Sequence, residues 1–123
     1  MKKLLLLLLF IPLFSFSQLT YEEEKAIASE IFETFNENYI KQSALEFLRL
    51  DDKAIAMAQK KYPNPKDWEA QIDYQREIED QDRLAWYKKQ KWWKKIKKNE
   101  SVAFYVRTKI IGYAYDKGWY DGL

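Results

Sequence analysis

Apolar positions open the chain as one continuous run and only later recur at helical spacing. From Leu4 to Phe16 every residue except Ser15 is apolar. Met1–Lys3 gives this run a positive start, and Ser15 and Ser17 are small residues at positions −3 and −1 of a cleavage site. These features are typical of a secretory signal peptide. The pattern predicts cleavage between Ser17 and Gln18 during export, with the mature protein either periplasmic or secreted.

The alternative to a signal peptide is an uncleaved membrane anchor. The 13 residues from Leu4 to Phe16 would make a helix of only about 20 Å, whereas the hydrocarbon core of a bilayer is ~30 Å thick. A lipid anchor would need a cysteine after the cleavage site, and the chain contains no cysteine. The sequence therefore predicts a signal peptide at residues 1–17 and one small domain at residues 18–123.

The first helix of this domain is predicted from a capping box and an apolar stripe. Thr20 and Glu23 stand at the spacing at which each side chain caps the other's backbone amide. Apolar residues then follow at intervals of four, at Ile27, Ile31, Phe35 and Tyr39. This periodicity predicts a helix over residues 21–39.

A second helix is predicted over residues 44–61. Ser43 and Glu46 again match a capping box, and apolar residues continue at helical spacing beyond them. A break near Asp51-Asp52 is left open. Tyr62-Pro63-Asn64-Pro65 cannot continue a helix, because the prolines lack an amide hydrogen and restrict the residues before them, so this segment is predicted to be a loop.

One long amphipathic helix is predicted over residues 66–98, which contain neither glycine nor proline. At 100° per residue, nine apolar or aromatic side chains of this segment fall within an arc of about 160°. They are Trp68, Ile72, Tyr74, Ile78, Ala85, Trp86, Trp92, Trp93 and Ile96.

The C-terminal segment, residues 102–120, has two interpretations. Val102, Phe104 and Val106 alternate with polar or small residues as in a strand, and Asp116–Gly118 would suit a hairpin turn. Two strands without a partner sheet would be only marginally stable, so a helix ending near Gly118 is favoured. The predicted fold class is all-α, a small bundle of three to four helices, with an α+β fold carrying a C-terminal β-hairpin as the alternative.

Composition excludes several chemistries. The chain has no histidine and no cysteine, so it has no imidazole base, no thiolate nucleophile and no ligands for a His- or Cys-based metal site. No cofactor motif is present, and none is expected. Paired carboxylates at Asp51-Asp52, Asp80/Asp82 and Asp116/Asp121 leave a hydrolase open as a third hypothesis, because glycoside hydrolysis needs two acids at a defined separation.

Charge is unevenly distributed in a domain that is neutral as a whole. Lys2 and Lys3 are the only charged residues before Gln18, so cleavage leaves 19 basic groups against 19 acidic ones. Residues 66–82 carry a net charge of −5, whereas residues 83–98 carry +8 with aromatic residues interleaved. The candidate surface-binding residues of this basic stretch are Trp86, Lys88, Lys89, Lys91, Trp92, Trp93, Lys94, Lys95, Lys97 and Lys98.

The basic stretch also has two interpretations. The tryptophans are either core residues of an ordinary helix, with the lysines solvated, or anchors of a helix that lies on an anionic surface such as lipid, lipopolysaccharide or an acidic polymer. The leading functional prediction is an exported, non-catalytic protein that binds a protein partner or itself. Binding to an anionic envelope surface is the second hypothesis, and nucleic acid is not expected as a partner because of export.

Overall fold

The fold is built from helices connected by short turns. The computed structural model describes residues 19–122, so the predicted signal peptide and its cleavage site lie outside the described residues. The helices are α1 (Tyr21–Glu33), α2 (Glu37–Lys61), α3 (Trp68–Lys89), the single turn α4 (Trp92–Lys95) and α5 (Glu100–Asp116), with a 3₁₀ turn at Pro65–Asp67 before α3. Within residues 19–122 there is no β-strand, which confirms the all-α class.

Helix α1 starts as predicted and ends earlier than predicted. The capping box is present, since the Glu23 amide donates to Thr20 Oγ1 and the Thr20 amide donates to Glu23 Oε1, both at 3.1 Å. The expected end at Tyr39 is wrong, because Asn36 starts the next helix by accepting a 2.7 Å hydrogen bond from the Tyr39 amide. Asparagine is a strong N-cap, and the cap at Asn36 sets where α1 ends and the next helix begins.

Helix α2 is correspondingly longer than predicted. It runs for 25 residues from Glu37 to Lys61 without a break at Asp51-Asp52. The predicted cap at Ser43 is also wrong, since Ser43 is a buried residue of the second turn of α2 and only 5 % exposed. The apolar face of the helix continues on both sides of Ser43, and its burial outweighs the local capping signal.

The single helix predicted over residues 66–98 is interrupted. Helix α3 ends at Lys89, and Gln90 adopts an extended conformation. The Gln90 side chain explains the end, because its Nε2 donates at 2.8 Å to the carbonyl of Trp86, the acceptor that the Gln90 amide would use if the helix continued. The chain then turns through α4 and reaches α5 by way of Lys97 and Lys98.

The C-terminal segment is helical, as favoured, and the β-hairpin alternative is wrong. Helix α5 ends at Asp116 and closes with a Schellman motif, in which the Trp119 amide donates to the Ala114 carbonyl and the Gly118 amide to the Tyr115 carbonyl. This motif needs a left-handed residue, and Gly118 has φ 72°. Glycine adopts that conformation without a steric penalty.

The core brings together residues from all five helices. Helix α1 packs mainly on α5, while α2 packs on both α3 and α5. The side chains buried most completely include Ile27 and Ile31 of α1, Ile96, and Val102, Val106 and Ile110. Tyr120, after the last helix, donates a 2.9 Å hydrogen bond to the Ala44 carbonyl and so ties the C-terminal turn to α2.

Helices α2 and α3 extend beyond this core as a two-helix arm, which we define as residues 54–78. Ala54, Ala58 and Ile78 are buried within it but do not belong to the main core cluster. The arm exposes four large apolar side chains, namely Ile55, Met57, Trp68 and Ile72, of which Trp68 is the most exposed at 57 %.

Candidate functional site

The basic stretch predicted as a binding helix forms a corner between α3 and α5. We call residues 88–98 the lysine corner. All of its lysines are exposed: Lys88, Lys89, Lys91, Lys94, Lys95, Lys97 and Lys98. The corner changes direction twice, at Gln90 and at Lys97, so the lysines spread over a rounded end of the molecule and do not line one face of a helix.

The tryptophans of the candidate site lie beneath the lysines. Trp86, Trp92 and Trp93 are 9 %, 5 % and 6 % exposed, so the core interpretation is confirmed for them and they do not form an exposed aromatic face. The Trp86 and Trp92 ring centroids lie 5.9 Å apart, and Tyr87 stacks on Trp93 at 5.8 Å. The aromatic residues therefore hold the corner onto the core, and the exposed side chains above them are lysines.

The corner ends in a strained backbone. Lys97 and Lys98 have φ 55° and 57°, in the left-handed region that costs a residue with a side chain ~1–2 kcal/mol. The Lys98 amide donates to the Trp93 carbonyl and the Lys97 amide to the Lys94 carbonyl, which is the hydrogen-bond pattern of a Schellman motif. Lysine occupies the position at which glycine is usual.

The lysines of the corner have no acidic partners in residues 19–122. The ion pairs found there are Arg49 with Glu46, Lys53 with Asp82 and Arg83 with Asp80, and all lie outside the corner. Seven positive charges within 11 residues thus remain without a carboxylate within 4 Å. Neighbouring like charges repel each other, so the corner has a positive potential open to solvent.

A cavity of about 540 Å³ opens beside the lysine corner, and we call it the aromatic cleft. One side comes from the link between α1 and α2, through Thr34, Phe35, Asn36 and Tyr39. The other side comes from the corner, through Lys89, Gln90, Lys91, Trp92 and Lys95. The cleft therefore has aromatic walls and three lysines at its rim, and its volume lies in the range of ordinary ligand pockets.

A chain of hydrogen bonds fixes the walls of the aromatic cleft. Trp92 Nε1 donates to Tyr39 Oη at 3.0 Å, and Tyr39 Oη donates to Gln90 Oε1 at 2.6 Å. Burial raises the pKa of Tyr39, against the lowering effect of the hydrogen bonds with Trp92 and Ser43, so the phenol stays neutral and keeps its proton for Gln90. The two sides of the cleft are locked to each other through these side chains.

A second charged region lies between α2, α3 and α5, and we call it the charge cluster. It surrounds a cavity of about 40 Å³ and consists of Asp51, Glu79, Asp82, Arg83 and Arg107. Lys53 Nζ lies 3.1 Å from Asp82 Oδ2, and the Arg107 guanidinium lies 5.0 Å from the centroid of the Phe47 ring.

The structure places the carboxylates of the hydrolase hypothesis in different surroundings. Asp51 lines the charge cluster, whereas Asp52 and Asp80 are exposed, and Asp116 and Asp121 are exposed near the end of α5. Burial raises the pKa of Asp51, Arg107 opposes this shift, and Glu79 adds to it. Asp51 borders two cavities, the one of about 40 Å³ in the charge cluster and another of about 290 Å³ that it shares with Tyr115, Tyr120 and Asp121.

Comparison with protein-family models, with curated proteins and with solved structures gives no match for this chain. Among the described residues, no helix has both the length and the apolar character needed to cross a bilayer. The same residues contain no group of three or more acidic side chains arranged to hold a metal ion.

Sequence reasoning identified the lysines of this site but missed the cleft beside them. The sequence pattern places Tyr39 on the apolar stripe of the first helix and Gln90 within the helix predicted over residues 66–98. The two side chains are 51 positions apart in the chain and meet only in the folded structure. Asn36 carried the available signal, because an N-cap there separates α1 from α2 and places Tyr39 in the first turn of α2.

Proposed function

We propose that this protein is a non-catalytic binding protein and that the lysine corner is its face for an acidic protein partner. The observation that carries this proposal is the concentration of seven exposed lysines at one end of the molecule without carboxylate neighbours in the described part of the chain. A partner that brings carboxylates to the corner relieves their mutual repulsion, so association is favoured electrostatically.

The geometry of the tryptophans favours a protein partner over a lipid surface. A helix that lies in a membrane interface needs apolar and aromatic side chains on the face opposite its lysines. Trp86, Trp92 and Trp93 are buried in the core instead, so they are not available to enter a bilayer. An anionic envelope surface would meet lysines alone, while a folded or extended acidic protein also finds the aromatic cleft.

Two further points support a non-catalytic role outside the cytoplasm. The chain lacks histidine and cysteine, so an imidazole base and a thiolate nucleophile are both absent. Export is part of the proposal because residues 1–17 have the pattern of a signal peptide.

The test uses poly-L-glutamate as an acidic protein probe, with anionic and neutral vesicles as lipid probes. Lys88, Lys91, Lys94 and Lys95 are changed together to Glu, which leaves the left-handed residues Lys97 and Lys98 in place. The matched control reverses four exposed lysines elsewhere, at positions 60, 66, 109 and 117. The chain used starts at Gln18, since every described element lies after that residue.

We expect wild-type protein to bind poly-L-glutamate at low salt and to release it near ~0.5 M salt, where the Debye length falls below about 5 Å. Reversal of the corner should weaken binding by roughly tenfold or more, because exposed ion pairs contribute ~0.2–1 kcal/mol each and four are lost. The control variant should lose much less. Equal losses in the two variants, or binding only to anionic vesicles, would contradict the proposed partner.

A further inference from the structure

The far end of the arm carries an exposed aromatic residue between two acids. Trp68 is 57 % exposed, and Asp67 and Glu69 beside it are exposed as well. Trp68 makes no ring or cation contact with another described residue. The turn before it is capped, because Asn64 Oδ1 accepts a 3.0 Å hydrogen bond from the Lys66 amide. We call Asp67–Glu69 the arm tip.

The arm tip matches the aromatic cleft in shape and in charge. An indole needs an apolar cavity with aromatic walls for offset or edge-to-face contacts, and the cleft offers Phe35, Tyr39 and Trp92 within about 540 Å³. The lysines at the cleft rim are opposite in charge to the start of α3 and the turn before it, which carry Asp67, Glu69 and Asp73. Residues 66–82 have a net charge of −5 with Lys66 and Arg76 included. Asp80 and Asp82 pair with Arg83 and Lys53, whereas Asp67, Glu69 and Asp73 form no ion pair within the described residues.

We propose that the acidic partner is a second copy of this chain, whose arm tip enters the aromatic cleft. This inference rests on the proposed function, because it uses the same lysine corner and names the partner that binds there. The tip of a chain does not reach its own cleft, since the two lie at opposite ends of α3, a helix of 22 residues or about 33 Å.

In such a dimer two equivalent contacts form together, each between the arm tip of one copy and the cleft of the other, and the direction of α3 explains why. When two copies place their α3 helices side by side in opposite directions, each arm tip arrives at the cleft of the other copy. This arrangement has two-fold symmetry and closes on itself. Acidic residues of the first half of α3, including Glu69 and Asp73, then face lysines at its other end in the partner copy.

The first experiment measures the mass of the chain from Gln18 onward by analytical ultracentrifugation over a wide concentration range at low salt. We expect a dimer that dissociates on dilution and on addition of salt. Trp68→Ala should weaken the dimer by about thirtyfold or more, as expected for an aromatic anchor at the centre of an interface. Met57→Ala is the matched control, because Met57 is an exposed apolar residue of the same arm outside the tip.

A charge swap provides the decisive test. One variant carries Glu69→Lys with Asp73→Lys, and the other carries Lys89→Glu with Lys91→Glu. Each should be monomeric alone, because like charges meet in both contacts. A mixture of the two should form dimers, because both contacts become complementary again. The control pair, Asp116→Lys/Asp121→Lys and Lys109→Glu/Lys117→Glu, should each dimerise as wild type does.

The outcomes separate this inference from the proposed function. A wild-type chain that stays monomeric up to millimolar concentration but still binds poly-L-glutamate overturns the second copy as partner and leaves the lysine corner as a binding face. A dimer that is insensitive to Trp68→Ala, with no recovery in the charge-swap mixture, also overturns it. Absence of both dimerisation and poly-L-glutamate binding overturns the proposed function as well.

Discussion

The lysine corner and the charge cluster are two concentrations of charge that relate to the fold in opposite ways. In the charge cluster, three acids and two arginines surround a cavity of about 40 Å³, and Lys53 pairs with Asp82 from the side. In the lysine corner, seven lysines project into solvent and no carboxylate of residues 19–122 lies within 4 Å. Charged groups with oppositely charged neighbours contribute to the folded structure, whereas charged groups without such neighbours are available to bind a partner.

The lysine corner itself has two layers, the exposed lysines and the buried aromatic residues beneath them. Its charged layer is free, while its aromatic layer is fixed by burial and by the hydrogen bonds that link Trp92, Tyr39 and Gln90. Substitutions in the two layers should therefore differ in which property they change.

The largest effect is expected beneath the lysines. Trp92→Ala removes a side chain that is 5 % exposed and leaves the Tyr39 hydroxyl without its donor, so the free energy of unfolding should fall by ~3–5 kcal/mol. Trp68→Ala, on the exposed arm tip, should change it by less than ~0.5 kcal/mol in the monomer. Denaturant unfolding measures both values, and equal effects would contradict the assignment of Trp92 to the core and Trp68 to the surface.

A smaller effect is expected in the charge cluster. Arg107→Met removes the guanidinium that lies over the Phe47 ring and leaves Asp51 and Glu79 with less positive charge nearby. We expect a loss of ~1–2 kcal/mol in the free energy of unfolding, since a partly buried charge loses its compensation. Lys91→Met in the lysine corner is the comparison and should be nearly neutral. Equal changes in the free energy of unfolding for Arg107→Met and Lys91→Met would contradict the contrast between the charge cluster and the lysine corner.

The backbone of the lysine corner predicts a gain in stability. Lys97→Gly replaces a left-handed lysine, φ 55°, with the residue that adopts this conformation freely, and it removes one of the repelling charges. The free energy of unfolding should rise by ~0.5–1 kcal/mol. Lys94→Gly, within the turn of α4, should lower it instead. A destabilising Lys97→Gly would show that the side chain of Lys97 supports the fold after all.

The smallest effect is the pH dependence that Asp51 contributes. Burial raises the pKa of Asp51 above its ordinary value of 3.8, Arg107 and Arg83 oppose the shift, and Glu79 and Asp52 add to it. The folded state thus binds this proton more tightly than the unfolded state does. The associated stability is present in full below pH 3.8 and is lost as the pH rises through the raised pKa.

Asp51→Asn removes this titration and isolates it. The free energy of unfolding of the wild type minus that of the variant should decrease as the pH is raised from below 3.8 towards neutrality. Asp52→Asn, at an exposed neighbour, provides the control and should give a flatter difference. A difference that increases with pH would mean that Arg107 and Arg83 dominate over burial at Asp51.

The elements that the sequence predicted correctly are those with strong local signals. Thr20 and Glu23 set the start of α1, the prolines at 63 and 65 end α2, and Gly118 ends the last helix. The helical nature of α5 followed from the weakness of an isolated hairpin, which is also a local argument.

Two of the failures depend on the packing of the folded chain, whereas the early end of α1 comes from a local cap, Asn36. The segment after Lys89 has no helix breaker, and the helix ends there because Gln90 bonds to Tyr39 and to the Trp86 carbonyl while Trp92 is buried against Phe35. Ser43 and Glu46 match a cap by spacing, but Ser43 lies on the buried face of α2. The lysines are recognisable from composition, whereas the cleft forms only where the link between α1 and α2 packs against the lysine corner.

The central claim is that the charged layer of the lysine corner serves binding and contributes nothing favourable to the fold. Its most direct test is the free energy of unfolding of a chain in which Lys88, Lys91, Lys94 and Lys95 are all changed to Gln, measured in denaturant at low salt. We predict a value equal to that of the wild type or higher, because repulsion among the lysines is reduced. A loss of more than about 1 kcal/mol, beyond the range of ordinary surface substitutions, would contradict the claim.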